Sequence, residues 1–141
     1  MLVDANLLLY AVDETSPHHQ AALDWLTDQL NGNRRVGLPW QSLGAFLRIA
    51  THPRAFAEPM PASAAWSVVE DWLAAPAAWV PSPEGRYAAI LAQLISRHAL
   101  TANLVPDGMV AALAIEHGLT ICSADTDFAR FDEVVWTNPL A

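Results

Sequence analysis

A chain of 141 residues has the length of one domain and can bury a core without disulfides or a structural metal. Its 53% hydrophobic content leaves apolar surface to spare for a partner or a second copy, and six Trp, a residue type favoured at interface cores, strengthen that expectation. The formal charge of −8, with seven Arg and no Lys, excludes a uniformly basic nucleic-acid binder, although acids gathered round a divalent cation would not count as free surface charge. The single Cys122 excludes an internal disulfide and fits a reducing cytoplasm. No apolar run reaches the roughly 20 residues of a membrane span, and the basic start of a signal peptide is missing.

The chain opens on MLVDANLLLY. Leu2 and Val3 read as a strand ending at Asp4, and that places a carboxylate at the edge where open α/β sheets hold their ligands. Asp4 or Asn6 could equally cap the helix that follows over residues 7–12. Ser16-Pro17 offers a cap and a first-turn proline for a second helix, in which Ala22, Leu23, Leu26 and Leu30 recur on one face until Asn31-Gly32 ends it. His18 and His19 are adjacent in its first turn and point apart, which makes them a poor chelate.

Residues 34–39 read as the second strand and 41–52 as a helix, with Leu43, Phe46, Leu47 and Ala50 on its apolar face and Pro53 at its end. Residues 29–57 contain no acid but carry Arg34, Arg35, Arg48 and Arg54. This basic block suits a protein interface, plain solvation or contact with phosphates. Helices over 62–75 and 84–99 flank a short strand at 78–80. Trp66, Val69, Trp72 and Leu73 in the first, and Ile90, Leu91, Leu94 and Ile95 in the second, form stripes suited to a core or dimer surface.

Within residues 103–118 the sequence predicts a helix that begins at Asp107, packs through Val110, Ala111, Leu113 and Ala114, and closes at Gly118. A strand at 119–122 then opens into Ser123-Ala124-Asp125-Thr126-Asp127, so two carboxylates again follow a strand. A last short strand spans 134–136. Strands alternating with helices predict a single α/β domain over residues 1–141, a three-layer α/β/α sandwich with a mostly parallel sheet of four to five strands.

That topology brings Asp4, Asp125 and Asp127 to strand carboxyl ends, with Asp107 at the start of a helix feeding the neighbouring strand. Carboxylates gathered at one edge repel one another unless a cation neutralises them. Mg²⁺ or Mn²⁺ takes carboxylate oxygens and waters and needs no His or Cys. Such an ion activates water and steadies phosphoryl charge, which suits phosphodiester hydrolysis. No GxSxG elbow, Gly-rich phosphate loop or zinc-ligand spacing offers a competing chemistry.

The stretches VDANLLLYA and VPDGMVAALAIEHGLTICSADTDFARF, with Trp136 and Asn138-Pro139-Leu140 near the end, resemble PIN-domain ribonucleases of the VapC toxin type over essentially the whole chain. The resemblance implies a magnesium-dependent endoribonuclease that cuts structured RNA such as transfer or ribosomal RNA, forms a homodimer and is held inactive by a cognate VapB antitoxin. It makes Asp4, Asp107 and Asp125 the catalytic, metal-holding acids, with Asp127 as an auxiliary ligand. In that reading Asn6 orients Asp4 by hydrogen bonding, and Arg34, Arg35 and Arg48 are candidates for guiding the RNA backbone. One departure matters: such proteins carry a Glu in the helix after the second strand, and residues 41–52 contain no acid. Gln41 is the nearest polar stand-in, while Leu43 and Ala45 sit where a Glu could otherwise lie. The alternative expectation is a PIN-like binding module that has lost catalysis and works through its dimer and partner surfaces.

Overall fold

Five two-residue strands pair in the order β3-β2-β1-β4-β5, every pair parallel, in a computed structural model that describes residues 1–141. In chain order the elements are β1 (Leu2–Val3), α1 (Ala5–Val12), α2 (His19–Leu30), β2 (Val36–Gly37), α3 (Trp40–Ala50), α4 (Ala62–Ala74), β3 (Ala78–Trp79), α5 (Tyr87–His98), α6 (Leu104–His117), β4 (Ile121–Cys122), a 3₁₀ turn (Thr126–Arg130) and β5 (Trp136–Thr137). The expected α/β class with a parallel sheet is what the chain adopts.

Alternation along each strand divides the core into two. Val3 and Cys122 face the side covered by α1 to α4, where Leu7, Leu26, Leu43, Phe46 and Val69 are buried. Leu2 and Ile121 face the opposite side, against Leu94 of α5, Val110 and Leu113 of α6 and Phe128. Leu2, Leu113 and Ile121 have no exposed surface, and burying each contributes about 1.5–3 kcal/mol. Because both faces of β1 and β4 are covered, their sequences read as continuous apolar pairs.

The strand order sets the position of the site. From β1 the chain crosses to β2 and β3 on one side, then returns to lay β4 against the other side of β1. The β1/β4 boundary is therefore the point where connections leave in opposite directions, and a crevice opens there beyond the strand carboxyl ends. Asp4 and Ser123 are the first residues past those ends.

Several element boundaries differ from the sequence expectation. The second helix begins at His19, not Pro17, because Ser16 is engaged in a preceding turn: its hydroxyl accepts the His18 N–H at 3.1 Å and its carbonyl accepts the His19 N–H at 3.1 Å. His19 Nδ1 lies 2.9 Å from the Tyr10 carbonyl oxygen, a tie between the first two helices. α5 begins at Tyr87, not Glu84, since the Glu84 and Arg86 N–H groups donate to the Glu116 carboxylate at 2.7 and 2.9 Å.

α6 starts at Leu104, three residues before Asp107, and Pro106 sits in its first turn, where a missing N–H costs no intrahelical bond. Gly118, at φ +67°, takes the left-handed conformation that ends it. β5 covers Trp136–Thr137, shifted from residues 134–136. The apolar stripes are only partly covered: Leu94 and Val69 are buried, whereas Ile95 and Trp66 are exposed.

Candidate metal centre

The last rung between β1 and β4 is the Asp4 N–H donating to the Cys122 carbonyl at 3.0 Å. Past that rung the two chains are tied by side chains. Asp4 Oδ2 accepts the Ser123 hydroxyl at 2.8 Å and Asn6 Nδ2 at 3.3 Å. Asn6 Nδ2 also donates to Ser123 Oγ at 2.9 Å, and Asn6 Oδ1 accepts the Ala124 N–H at 3.2 Å. Ser123 Oγ further accepts the Asp125 N–H at 3.0 Å. Ser123 is fully buried, and its one hydroxyl proton and both lone pairs are used. Asp4 precedes α1 at its cap position but makes no capping hydrogen bond, and Asn6 lies inside the helix, so neither residue plays the cap role.

The remaining acids come from two elements. Asp125 ends the lead from β4 and accepts the Asp127 N–H on its Oδ1 at 2.8 Å, which opens the 3₁₀ turn. Asp107 projects from the first turn of α6. One carboxylate oxygen from each of Asp107, Asp125 and Asp127 lies within 4.8 Å of the others. Asp4 stands outside that trio yet close enough to act on it electrostatically: burial, then Asp125, Asp4 and Asp127, push the Asp107 carboxyl up to about 6, with Arg130 pulling the other way. Burial likewise pushes Asp4 up, opposed by the Ser123 hydroxyl and the Ala5 N–H, with Asp125 adding a smaller rise.

This donor set fits a hard divalent cation. All its atoms are oxygens, the spacing suits a shared ion, and none of the four acids has an ion-pair partner, because every salt bridge of the chain lies elsewhere. A second cluster, His98, Asp132 and Glu133, is different in kind. Arg97 already reaches Asp132 at 2.9 Å and Glu133 at 3.6 Å, and His98 Nε2 sits 2.9 Å from Glu133, so its charge is met within the protein.

The basic residues named from sequence are not beside the acids. Arg34 and Arg35 precede β2, hence lie toward the amino edge of the sheet, and the Arg35 guanidinium stacks 3.8 Å over the Trp79 ring. Arg48 is in the last turn of α3, about 12 Å along the helix from Trp40, where α3 leaves the carboxyl edge. The cation that does act on the acids is Arg130, whose Nε donates to the Asp127 carbonyl at 3.2 Å. α3 also meets the end of β1 through a neutral group: the buried Ser42 hydroxyl donates to the Val3 carbonyl at 2.7 Å.

Sequence reasoning missed Ser123 and Arg130. Two signals were available: Ser123 is the first residue after an apolar strand that ends in acids, and Arg130 stands three residues after Asp127.

The sequence pattern of the PIN domain matches residues 1–134, which include all four acids. The chain belongs to the PIN-domain family. Among its relatives, Ribonuclease VapC37 of Mycobacterium tuberculosis is 49% identical over 99% of this chain and 97% of its own length. Ribonuclease VapC33 of the same species is 40% identical over 99% of this chain and 98% of its own length. Among solved structures, VapBC-1 from nontypeable Haemophilus influenzae superposes with a TM-score of 0.68 at 13% identity, covering 99% of this chain and 98% of that one. FitAcB from Neisseria gonorrhoeae gives 0.63 at 20% identity, covering 98% of this chain and 96% of the other. The likeness to these structures is one of fold, and it runs over nearly the whole chain.

Proposed function

We propose that this PIN domain is a VapC-type toxin: a Mg²⁺-dependent endoribonuclease, Mn²⁺ being an acceptable substitute, that cuts structured RNA such as transfer or ribosomal RNA. The observation that carries the reading is the convergence of Asp107, Asp125 and Asp127 within 4.8 Å beside Asp4, at the crevice of the sheet. Relatives up to 49% identical over nearly the full chain are named ribonucleases, which supports RNA as the polymer that is cut.

In this reading Asp107, Asp125, Asp127 and Asp4 hold the ion. When bound, it supplies a water of lowered pKa and offsets charge developing on the phosphoryl group. The chain's own residues prepare the site. Ser123 and Asn6 fix the Asp4 carboxylate, and the Asp125 N–H bond to Ser123 holds the second acid in the same frame. Arg130 offers positive charge to a substrate phosphate at the same edge.

VapBC toxin–antitoxin structures among the fold neighbours support a VapB-like antitoxin as partner, and the high hydrophobic content of the chain, 53%, with Ile95 exposed on α5, supports a homodimer. No helix is long and apolar enough to cross a membrane, and the cytoplasm is the expected compartment. The test is cleavage of total RNA by the purified protein with Mg²⁺ or with EDTA, wild type against Asp107→Asn. Cleavage that needs Mg²⁺ and is lost in the variant supports the reading. An intact RNA pool with the wild type, despite bound Mg²⁺, favours the binding-module alternative that the acid-free α3 raises.

A further inference from the structure

Two tryptophans stand open to solvent side by side on α3 and α4. Trp40, the first residue of α3, and Trp66 of α4 lie with ring centroids 6.5 Å apart and planes parallel to within 7°, and are 51% and 43% exposed. Exposing two large aromatic rings forfeits burial free energy that a core position would recover. Neither ring touches the acids, and the proposed chemistry makes no use of them.

Their position is fixed by the fold. Trp40 follows the carboxyl end of β2 by three residues, so it lies at the same sheet edge as Asp4. The Ser42 hydroxyl on the Val3 carbonyl, at 2.7 Å, locks the first turn of α3 to the residue before Asp4. Ordinary backbone dimensions along the path Trp40, Ser42, Val3, Asp4 put the outer Cα atoms within roughly 17 Å of each other. One extended strand of nucleic acid can reach both.

We propose that Trp40 and Trp66 form a stacking platform for an unpaired base of the RNA strand that is cut at the acid centre; this rests on the ribonuclease reading above. The surroundings favour RNA over a protein partner. The chain's other exposed large apolar residues are Leu23, Ile95 and Val135, none of them on α3 or α4, so the pair lacks the aliphatic surround of a protein interface core. The face of α3 that carries Trp40 continues through Gly44, where open space would meet a Cβ, to the exposed Arg48. It lies within the acid-free run of residues 29–57. Acid appears on the α4 side, at Glu70 and Asp71. A bare aromatic face beside a carboxylate-free helix suits a stacked base and its phosphate; in a duplex, both faces of each base are already covered.

The experiment uses the full chain with Asp4→Asn in every protein and no added divalent cation, so that RNA is bound and not cut. Fluorescence anisotropy measures the affinity for a labelled single-stranded RNA of roughly 12 mixed nucleotides, and for the same sequence annealed to its complement; Trp40→Ala with Trp66→Ala is expected to weaken the first about 5- to 100-fold and the second little. Trp40→Phe, which keeps an aromatic face, should retain most of the affinity. Should the double variant not fold, Trp66→Ala alone carries the same comparison. Unchanged single-strand affinity in a folded variant overturns the platform and leaves the ribonuclease reading standing. Equal losses for single strand and duplex, or a loss that accompanies a change from dimer to monomer, overturn it in favour of a structural or protein-binding surface. If the protein without the Trp substitutions binds no single-stranded RNA, the platform falls, and the cleavage test above decides the ribonuclease reading on its own.

Discussion

The hydroxyl of Ser123 donates to the carboxylate of Asp4 at 2.8 Å across 119 positions of sequence. This bond joins the ends of β1 and β4, and the same oxygen accepts from Asn6 and from the Asp125 N–H. Ser123→Ala would leave two donors without their acceptor in a buried setting, at about 1–3 kcal/mol of stability. With Asp4 no longer oriented, divalent-ion affinity should drop about 10- to 100-fold while Asp107, Asp125 and Asp127 remain. Chemical denaturation and Mg²⁺ titration of the folded variant check the two effects separately. Unaltered ion affinity would mean that Ser123 serves the fold alone.

Asp107 carries a stability cost that varies with pH. Its carboxyl titrates at about 6 in the fold against 3.8 ordinarily, so the folded state holds the proton more tightly than the unfolded chain. Its contribution is therefore most favourable below about pH 4 and is lost as pH rises through about 6. Without metal, the protein should melt at a higher temperature at pH 5 than at pH 7.5, and added Mg²⁺ should narrow the gap. Asp107→Asn should remove part of this dependence. At pH 7.5 without metal it should stabilise the protein by on the order of 1 kcal/mol, allowing for solvent screening of a half-exposed group, or about 3–5 °C in melting temperature. Scanning calorimetry at the two pH values, with and without EDTA, measures it.

Much of this site was legible because its parts are local. Leu2-Val3 and Ile121-Cys122 are apolar pairs followed by acids, and alternation with helices sends both carboxyl ends to one edge. Ser123 was not legible in this way. A serine between a strand and an acid looks like any loop serine, and its importance comes from Asp4 and Asn6, more than a hundred positions away. The Arg block is a related case: counting charge does not tell at which edge of a parallel sheet it falls, and Arg34 and Arg35 lie toward the amino edge, with Arg35 held over Trp79 on β3. Helix starts slipped where side chains compete for backbone N–H groups, as Glu116 does at residues 84 and 86.

The link between α5 and α6 stores strain close to Asp107. Ala99 and Ala102 have φ of 51° and 49°, in the left-handed region where a Cβ is unfavourable. Ala99→Gly and Ala102→Gly should each stabilise the protein, by up to about 1 kcal/mol after the extra freedom glycine gives the unfolded chain. Urea unfolding of the single variants gives the answer. Destabilisation at both would show that the methyl groups contribute more through packing than the backbone conformation costs.

The most direct test of the metal centre is calorimetric titration of Mg²⁺ into the wild-type protein and into Asp107→Asn and Asp4→Asn near pH 7.5. The expected result is saturable binding at or below millimolar ion in the wild type, weakened about tenfold or more by either substitution. Binding of equal strength in all three proteins, or none in the wild type, would contradict a shared ion held by these acids.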